Sequence, residues 1–164
     1  YGRISAYCGD TMQRTRLFGT YEHSVDSKGR VTLPADFREH FASGAVLARL
    51  PVQPHCVMVF NEDDWREYEE RYIDPLNTYD DFEDDWDSRF IFSRMSSCVP
   101  DKQGRVSVLQ AGISEGLDLV GKVMILGNRN RLEIWNPATL AEEMEKYQQR
   151  RARRDAKRDG AHES

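Results

Sequence analysis

The chain has 164 residues, of which 39% are hydrophobic and 31% charged, and its formal net charge is −5. That length suits one ordinary domain or two small halves packed together, and the longest apolar runs, such as residues 57–60 and 123–126, are strand-sized and fall far short of the ~18 residues of a spanning helix. Three widely spaced cysteines, Cys8, Cys56 and Cys98, form no C-x-x-C pair, so neither a disulfide framework nor a zinc knuckle is indicated.

In chain order, residues 1–16 lack the apolar core and cleavage site of a signal peptide. They read as a flexible N-terminal extension, and the expected location is the cytoplasm. Phe18–Val25 and Arg30–Leu33 read as short strands joined by Asp26-Ser27-Lys28-Gly29. The glycine supplies the positive φ of a tight turn, and the aspartate carboxylate can accept from backbone N–H groups ahead of it. Pro34 then opens a short helix with Phe37 and Phe41 on one face. Ala45–Leu50 and Cys56–Phe60 are two further strands, with Pro51 and Pro54 in their connection. Asn61 caps a helix starting at Glu62, whose Asp63 and Asp64 suit the positive end of the dipole. Trp65, Tyr68 and Tyr72 recur at helical spacing and are expected to pack on the sheet.

A connecting helix follows over residues 76–96, with Phe82, Trp86, Phe90 and Ile91 on one face and the acidic run 80–87 on its solvated side. Residues 61–90 hold 13 acidic and 3 basic groups. The whole negative excess therefore sits in one segment, and the rest of the chain is mildly basic, which permits a local DNA-binding face. Ser97–Pro100 and Arg105–Leu109 flank a second turn. A short helix or loop is expected near residues 111–117, then strands at Lys122–Leu126 and Leu132–Trp135 around a turn at 127–130. Asn136-Pro137 opens the last helix. The Arg-rich tail, 148–164, extends that helix for a few turns before fraying. Cys56 and Cys98 lie beside apolar strands, where a buried free thiol is the expectation.

The two halves repeat. Sliding the chain by 75 residues lays Asp26 on Asp101, Gly29 on Gly104, Arg30 on Arg105 and Val31 on Val106, and further on Val57 on Leu132 and Phe60-Asn61 on Trp135-Asn136, with no gap required. The repeated object is an Asp-x-x-Gly-Arg turn. Arg30 with Lys28 and Ser27, and Arg105 with Lys102 and Gln103, gather donors at a fixed geometry. A guanidinium grips phosphate or a guanine edge and a lysine adds a point charge. Asp26, Gly29, Asp101 and Gly104 would brace the turns. The same residues also suit a purely structural hairpin with an internal Asp–Arg pair, and the residues alone weigh the two evenly. The four histidines lack metal-ligand spacing, and neither a nucleophile elbow nor a phosphate-binding glycine loop is present. No enzyme, metal, cofactor or small-molecule substrate is expected.

Phe18-Gly19-Thr20-Tyr21, the run from Asp26 to Pro34, Phe37-Arg38, Asp101–Arg105 and Leu132–Asn136 together resemble the MraZ family, over about residues 17–147. The resemblance implies an α+β fold of two tandem AbrB-like swapped-hairpin β-barrel modules with flanking helices, over residues 17–75 and 97–147. It further implies a bacterial transcriptional regulator that assembles into a ring. Such a protein binds direct repeats of double-stranded promoter DNA before the cell-division and cell-wall gene cluster, usually as a repressor, and associates with the nucleoid. By the motif match, Lys28, Arg30, Lys102 and Arg105 would contact DNA. Two other functions stay open: a dimeric AbrB-like DNA-binder such as an antitoxin, and a non-catalytic interaction scaffold that uses the acidic helices.

Overall fold

The structure is a computed structural model and describes residues 15–110 and 112–160. Eight strands and three α-helices follow in order: β1 (Thr20–Ser24), β2 (Arg30–Thr32), β3 (Ala45–Leu50), β4 (Gln53–Asn61), α1 (Glu62–Tyr68), α2 (Phe82–Phe92), β5 (Met95–Cys98), β6 (Arg105–Ser107), β7 (Lys122–Asn128), β8 (Arg131–Trp135) and α3 (Pro137–Gly160). Six strands form one antiparallel sheet in the order β1-β7-β8-β4-β3-β5, and β2 pairs with β6 in a separate two-stranded ribbon. It is a mixed helix-and-strand fold built on antiparallel pairing.

The sheet order is unchanged when the two halves are exchanged. β1 pairs with β7 of the second half and β5 with β3 of the first, while β4 pairs with β8 and β2 with β6. A pseudo-two-fold therefore runs between β4 and β8 and through the ribbon, where Val31 faces Val106. The first strand of each half has its ladder partner only in the other half, so neither half satisfies its backbone groups alone.

The ungapped offset of 75 conceals two differences. Ala48 of β3 pairs with Met95, and its counterpart opposite Thr20 is Leu126, so β3 and β7 are related by 78 residues. The extra residues lie in the loop before β7. They are offset by an irregularity in the β3–β4 hairpin, where the register shifts between Ala48 and Leu50 and Pro54 lies inside β4 rather than before it. Arg49 ties these two departures together. Its Nε and Nη2 donate to the Pro54 carbonyl at 3.0 and 2.6 Å, and its Nη1 donates to the Glu115 carbonyl at 2.8 Å. A proline at a bulge removes no ladder bond that the sheet needs, and the buried guanidinium satisfies the exposed carbonyl. The matching position in β7 is Gly127, where a Cβ would run into the Phe18 backbone.

Both sheet faces are covered. One carries Leu47, Val57, Val59, Ile125, Leu132 and Ile134 against the ribbon valines, Leu33, Phe37 and Phe41. The other carries Ala48, Met58, Phe60 and Trp135 beneath Trp65, Ile73 and Ile91 of the helical layer. Burial on both faces explains why β3 and β4 read as continuous apolar runs rather than alternating ones. Cys56 is buried and Cys98 half-buried, both free, as expected. Burial pushes both thiols above the ordinary range.

Several expectations need correction. The segment after Pro34 is two successive 3-10 turns, Ala35–Phe37 and Glu39–Phe41, which still bury both phenylalanines. Asn61 does cap α1, its Oδ1 accepting from the Asp64 N–H at 2.8 Å. After Tyr68, however, the helix widens into a π segment, Glu69–Ile73. The wider turn delivers Ile73 to the core in place of Tyr72, which is exposed. On α2 only Ile91 is buried and Phe90 partly so, while Phe82 and Trp86 face solvent. Gly127 and Asn128 belong to β7. The tail continues the last helix for a few turns, as expected, with α3 unbroken to Gly160, and residues 161–164 lie outside the described residues. Residues 1–14, with Cys8 and most of the expected extension, lie outside the described residues; Leu17 is already core and bridges Arg129.

Candidate nucleic-acid interface

The two Asp-x-x-Gly-Arg segments adopt the same turn. In the first, Asp26 Oδ1 accepts from the backbone N–H groups of Lys28 and Arg30, both at 2.9 Å, and Asp26 Oδ2 accepts from Arg30 Nε at 2.8 Å. Gly29 closes the turn at φ +74° with its N–H on the Asp26 carbonyl at 3.0 Å. In the second, Asp101 Oδ1 accepts from Gln103 N at 2.9 Å and Arg105 N at 3.0 Å, Oδ2 accepts from Arg105 Nε at 2.6 Å, and Gly104 sits at φ +73°. A short acceptor-only side chain followed by a residue free to adopt positive φ makes this the natural local fold. The hydrogen bonds from the Arg30 and Arg105 backbones, helped by their side chains, hold the Asp26 and Asp101 carboxyls below the usual aspartate range.

The ribbon sets the turns side by side. Leu33 N–H donates to the Gly104 carbonyl at 2.8 Å, and Val108 N–H donates to the Gly29 carbonyl at 2.9 Å. Each turn is thus fixed by the strand that leaves the other. Arg30 Nη1 also lies 4.0 Å from Asp101 Oδ2, a contact across the pseudo-two-fold. Ser27, Lys28, Lys102 and Gln103 are all exposed at the turn tips, whereas Arg30 and Arg105 are half-buried beside their aspartates. The structure therefore brings together all ten residues singled out from the sequence, from two stretches 75 positions apart.

The surroundings of the two turns differ. Leu109 lies over Gly29, whereas the stem of Arg38 lies over Gly104, its Nε donating to the Leu33 carbonyl at 3.2 Å. Arg38 is exposed and adds a cation to the second turn from the first half of the chain. His23 lies near enough that its pKa is lowered, chiefly by burial and then by Arg38. In the sequence Arg38 stands out only as part of the family resemblance. Its placement depends on the ribbon, and no local pattern signals it. Among the described residues no three His, Cys, Asp or Glu side chains are grouped to hold a metal ion, and no helix is long and apolar enough to cross a membrane.

Fold and site together define a two-repeat antiparallel protein whose distinctive feature is a paired-turn surface rather than a cleft. The family model for the MraZ protein matches residues 17–85. A protein named transcriptional regulator MraZ from Natranaerobius thermophilus is 36% identical over 133 residues, covering 81% of this chain and 87% of its own. Those of the same name from Leifsonia xyli subsp. xyli and Halothermothrix orenii are 41% and 34% identical, each over 73% of this chain and 80% of their own. The chain belongs to the MraZ family.

Proposed function

We propose that this chain is a transcriptional regulator that binds double-stranded DNA with the paired turns Asp26–Arg30 and Asp101–Arg105. It acts on direct repeats in the promoter of a bacterial cell-division and cell-wall gene cluster, chiefly as a repressor, and works as a ring of subunits on the nucleoid. The observation that carries the reading is the side-by-side placement of two basic turns on one ribbon. The exchange of first strands between halves suits a pair of AbrB-like swapped-hairpin modules, and the shared name of the relatives supports a regulator. A single pair of turns offers few phosphate contacts. Linking several on one ring raises avidity by about 10²–10⁴ through effective concentration, provided that repeat spacing matches subunit spacing.

The Nε bonds favour a division of labour within each turn. Asp26 and Asp101 hold one edge of each guanidinium, leaving the arginines to be oriented rather than mobile, while Lys28 and Lys102 meet phosphate first. Fluorescence anisotropy with a duplex carrying the direct repeats tests both parts. Lys28→Ala with Lys102→Ala should weaken binding to specific and random duplexes alike and reduce the salt slope by about 1 for each phosphate no longer neutralised. Arg30→Lys with Arg105→Lys keeps the charge but loses the fork, and should lower the preference for the repeats by about tenfold. Unchanged binding by both double variants would remove the turns from the interface.

A further inference from the structure

Two helical surfaces of this molecule carry exposed charge of opposite sign. The first is the start of α2 and the residues leading into it. Asp80, Asp81, Glu83, Asp84, Asp85 and Asp87 occur there without a basic residue until Arg89. Three aromatic rings lie among them in solvent: Tyr79 is 96% exposed, Phe82 72% and Trp86 51%. The Phe82 and Trp86 rings are in edge contact, with centroids 6.2 Å apart. Local structure accounts for some of the carboxylates, since Asp81 caps α2, Asp84 accepts from Asn77 N–H and Asp85 pairs with Arg89. It does not explain why a helix presents large rings to water beside them, a feature that marks interaction surfaces.

The second surface is the outer part of α3. Leu140, Met144, Tyr147, Arg151, Arg154 and Arg158 follow one another at spacings of four and three, and so share one face of the helix. Leu140 packs on the sheet. Met144 and Tyr147 are half exposed, and every side chain from Met144 to Asp159 lies on the surface. Residues 148–158 hold six basic groups and one acidic. Arg151 lies 3.8 Å from Asp155 on its own helix, and no ion pair joins this arm to residues 79–87 of the same chain among the described residues.

We propose that the arginine face of α3 from one copy docks on the acidic, aromatic face of α2 of a second copy. Charge complementarity selects the partner, and the rings supply the apolar area. Guanidinium groups stack well on such rings, and Arg89 already lies 4.5 Å over Trp86. Duplex DNA is the other anionic surface that could take the arm. The root of α3, however, packs on the sheet face opposite the β2–β6 ribbon that carries the turns, so arm and turns do not present one common face. A helix of one copy against a different surface of the next is a head-to-tail contact, which does not close at two and builds a ring where the rotation between copies closes. The inference rests on the self-assembly proposed above and names the surfaces that make it.

Light scattering on the full chain after size exclusion, at low and high salt, reads the mass against 19.0 kDa per chain. Reversal of the arm (Arg151→Glu, Arg154→Glu, Arg158→Glu) or of the patch (Asp80→Lys, Glu83→Lys, Asp87→Lys) should each lower the mass toward a single chain. Mixing the two variants, or combining them in one chain, should restore it. All six positions are solvated, so circular dichroism should report the native fold. A wild-type oligomer that neither reversal disturbs would overturn this interface while leaving assembly standing. A wild-type monomer at every salt concentration would overturn both. Arm reversal that leaves the mass unchanged but weakens duplex binding would assign the arm to phosphate instead.

Discussion

Replacing Gly29 with alanine tests the paired-turn geometry at its tightest point. Gly29 sits at φ +74°, and an added Cβ would lie 2.8 Å from the Leu109 Cβ, with Cγ and Cδ1 closer still. A left-handed conformation costs an L-residue about 1–2 kcal/mol. Displacing a side chain at its root, where rotation about χ1 gives little relief, adds about 1–3 kcal/mol. Part of this is offset by the lower unfolded-state entropy of alanine, about 0.4–1 kcal/mol. The expected net loss is about 3 kcal/mol, or a fall in Tm of about 6–12 °C for a chain of this size. Gly104→Ala is the internal control. It has the same φ penalty, but the atoms in its way are Cγ, Cδ and Nε of Arg38, which can swing aside for the loss of one part-buried hydrogen bond, that from Nε to the Leu33 carbonyl. Its cost should be about 2 kcal/mol. Urea unfolding of both variants would measure the difference. The reasoning is refuted if Gly29→Ala unfolds within about 0.5 kcal/mol of the wild type, the scatter of ordinary surface substitutions, or if Gly104→Ala is the less stable of the two.

Two further outcomes follow from buried or bonded carboxylates. Because Asp26 and Asp101 have folded pKa values below the ordinary aspartate value, their contribution is full above about pH 4 and is lost as pH falls through the depressed values. A chain with Asp26→Asn and Asp101→Asn should therefore lose less of its urea midpoint between about pH 5 and pH 2 than the wild type, and parallel curves would contradict this. Glu133 is buried and accepts from Asn128 Nδ2 at 2.9 Å, Arg131 Nε at 3.3 Å and Trp135 Nε1 at 3.1 Å. Glu133→Ala leaves those three donors behind and should cost about 3–5 kcal/mol; a measured loss under about 1 kcal/mol would show that water replaces the carboxylate.

The turns were fully legible in the sequence because they are made by local rules. An aspartate that bonds the N–H groups two and four residues on, and a glycine that adopts positive φ, need no distant partner. The same holds for the Asn61 cap. Features governed by packing across the pseudo-two-fold were less visible. The π segment after Tyr68 turns Ile73 into the core and leaves Tyr72 exposed, and helical spacing alone assigned the wrong one. Phe82 and Trp86 match an amphipathic pattern, yet α2 meets the sheet only at its far end, through Phe90 and Ile91.

The repeat itself shows where the division falls. The sequence by itself determined that the chain is one unit written twice, which turn each unit carries, and which residues brace it, because each turn depends on bonds between near neighbours along the chain. Only the tertiary structure decided that each first strand pairs in the other half and that the extra residues before β7 are offset in the β3–β4 hairpin. It also decided that Arg38 reaches the second turn and not the first. Those facts depend on which backbone groups remain unpaired once both halves are packed, and an unpaired group is satisfied by whatever lies nearest in space.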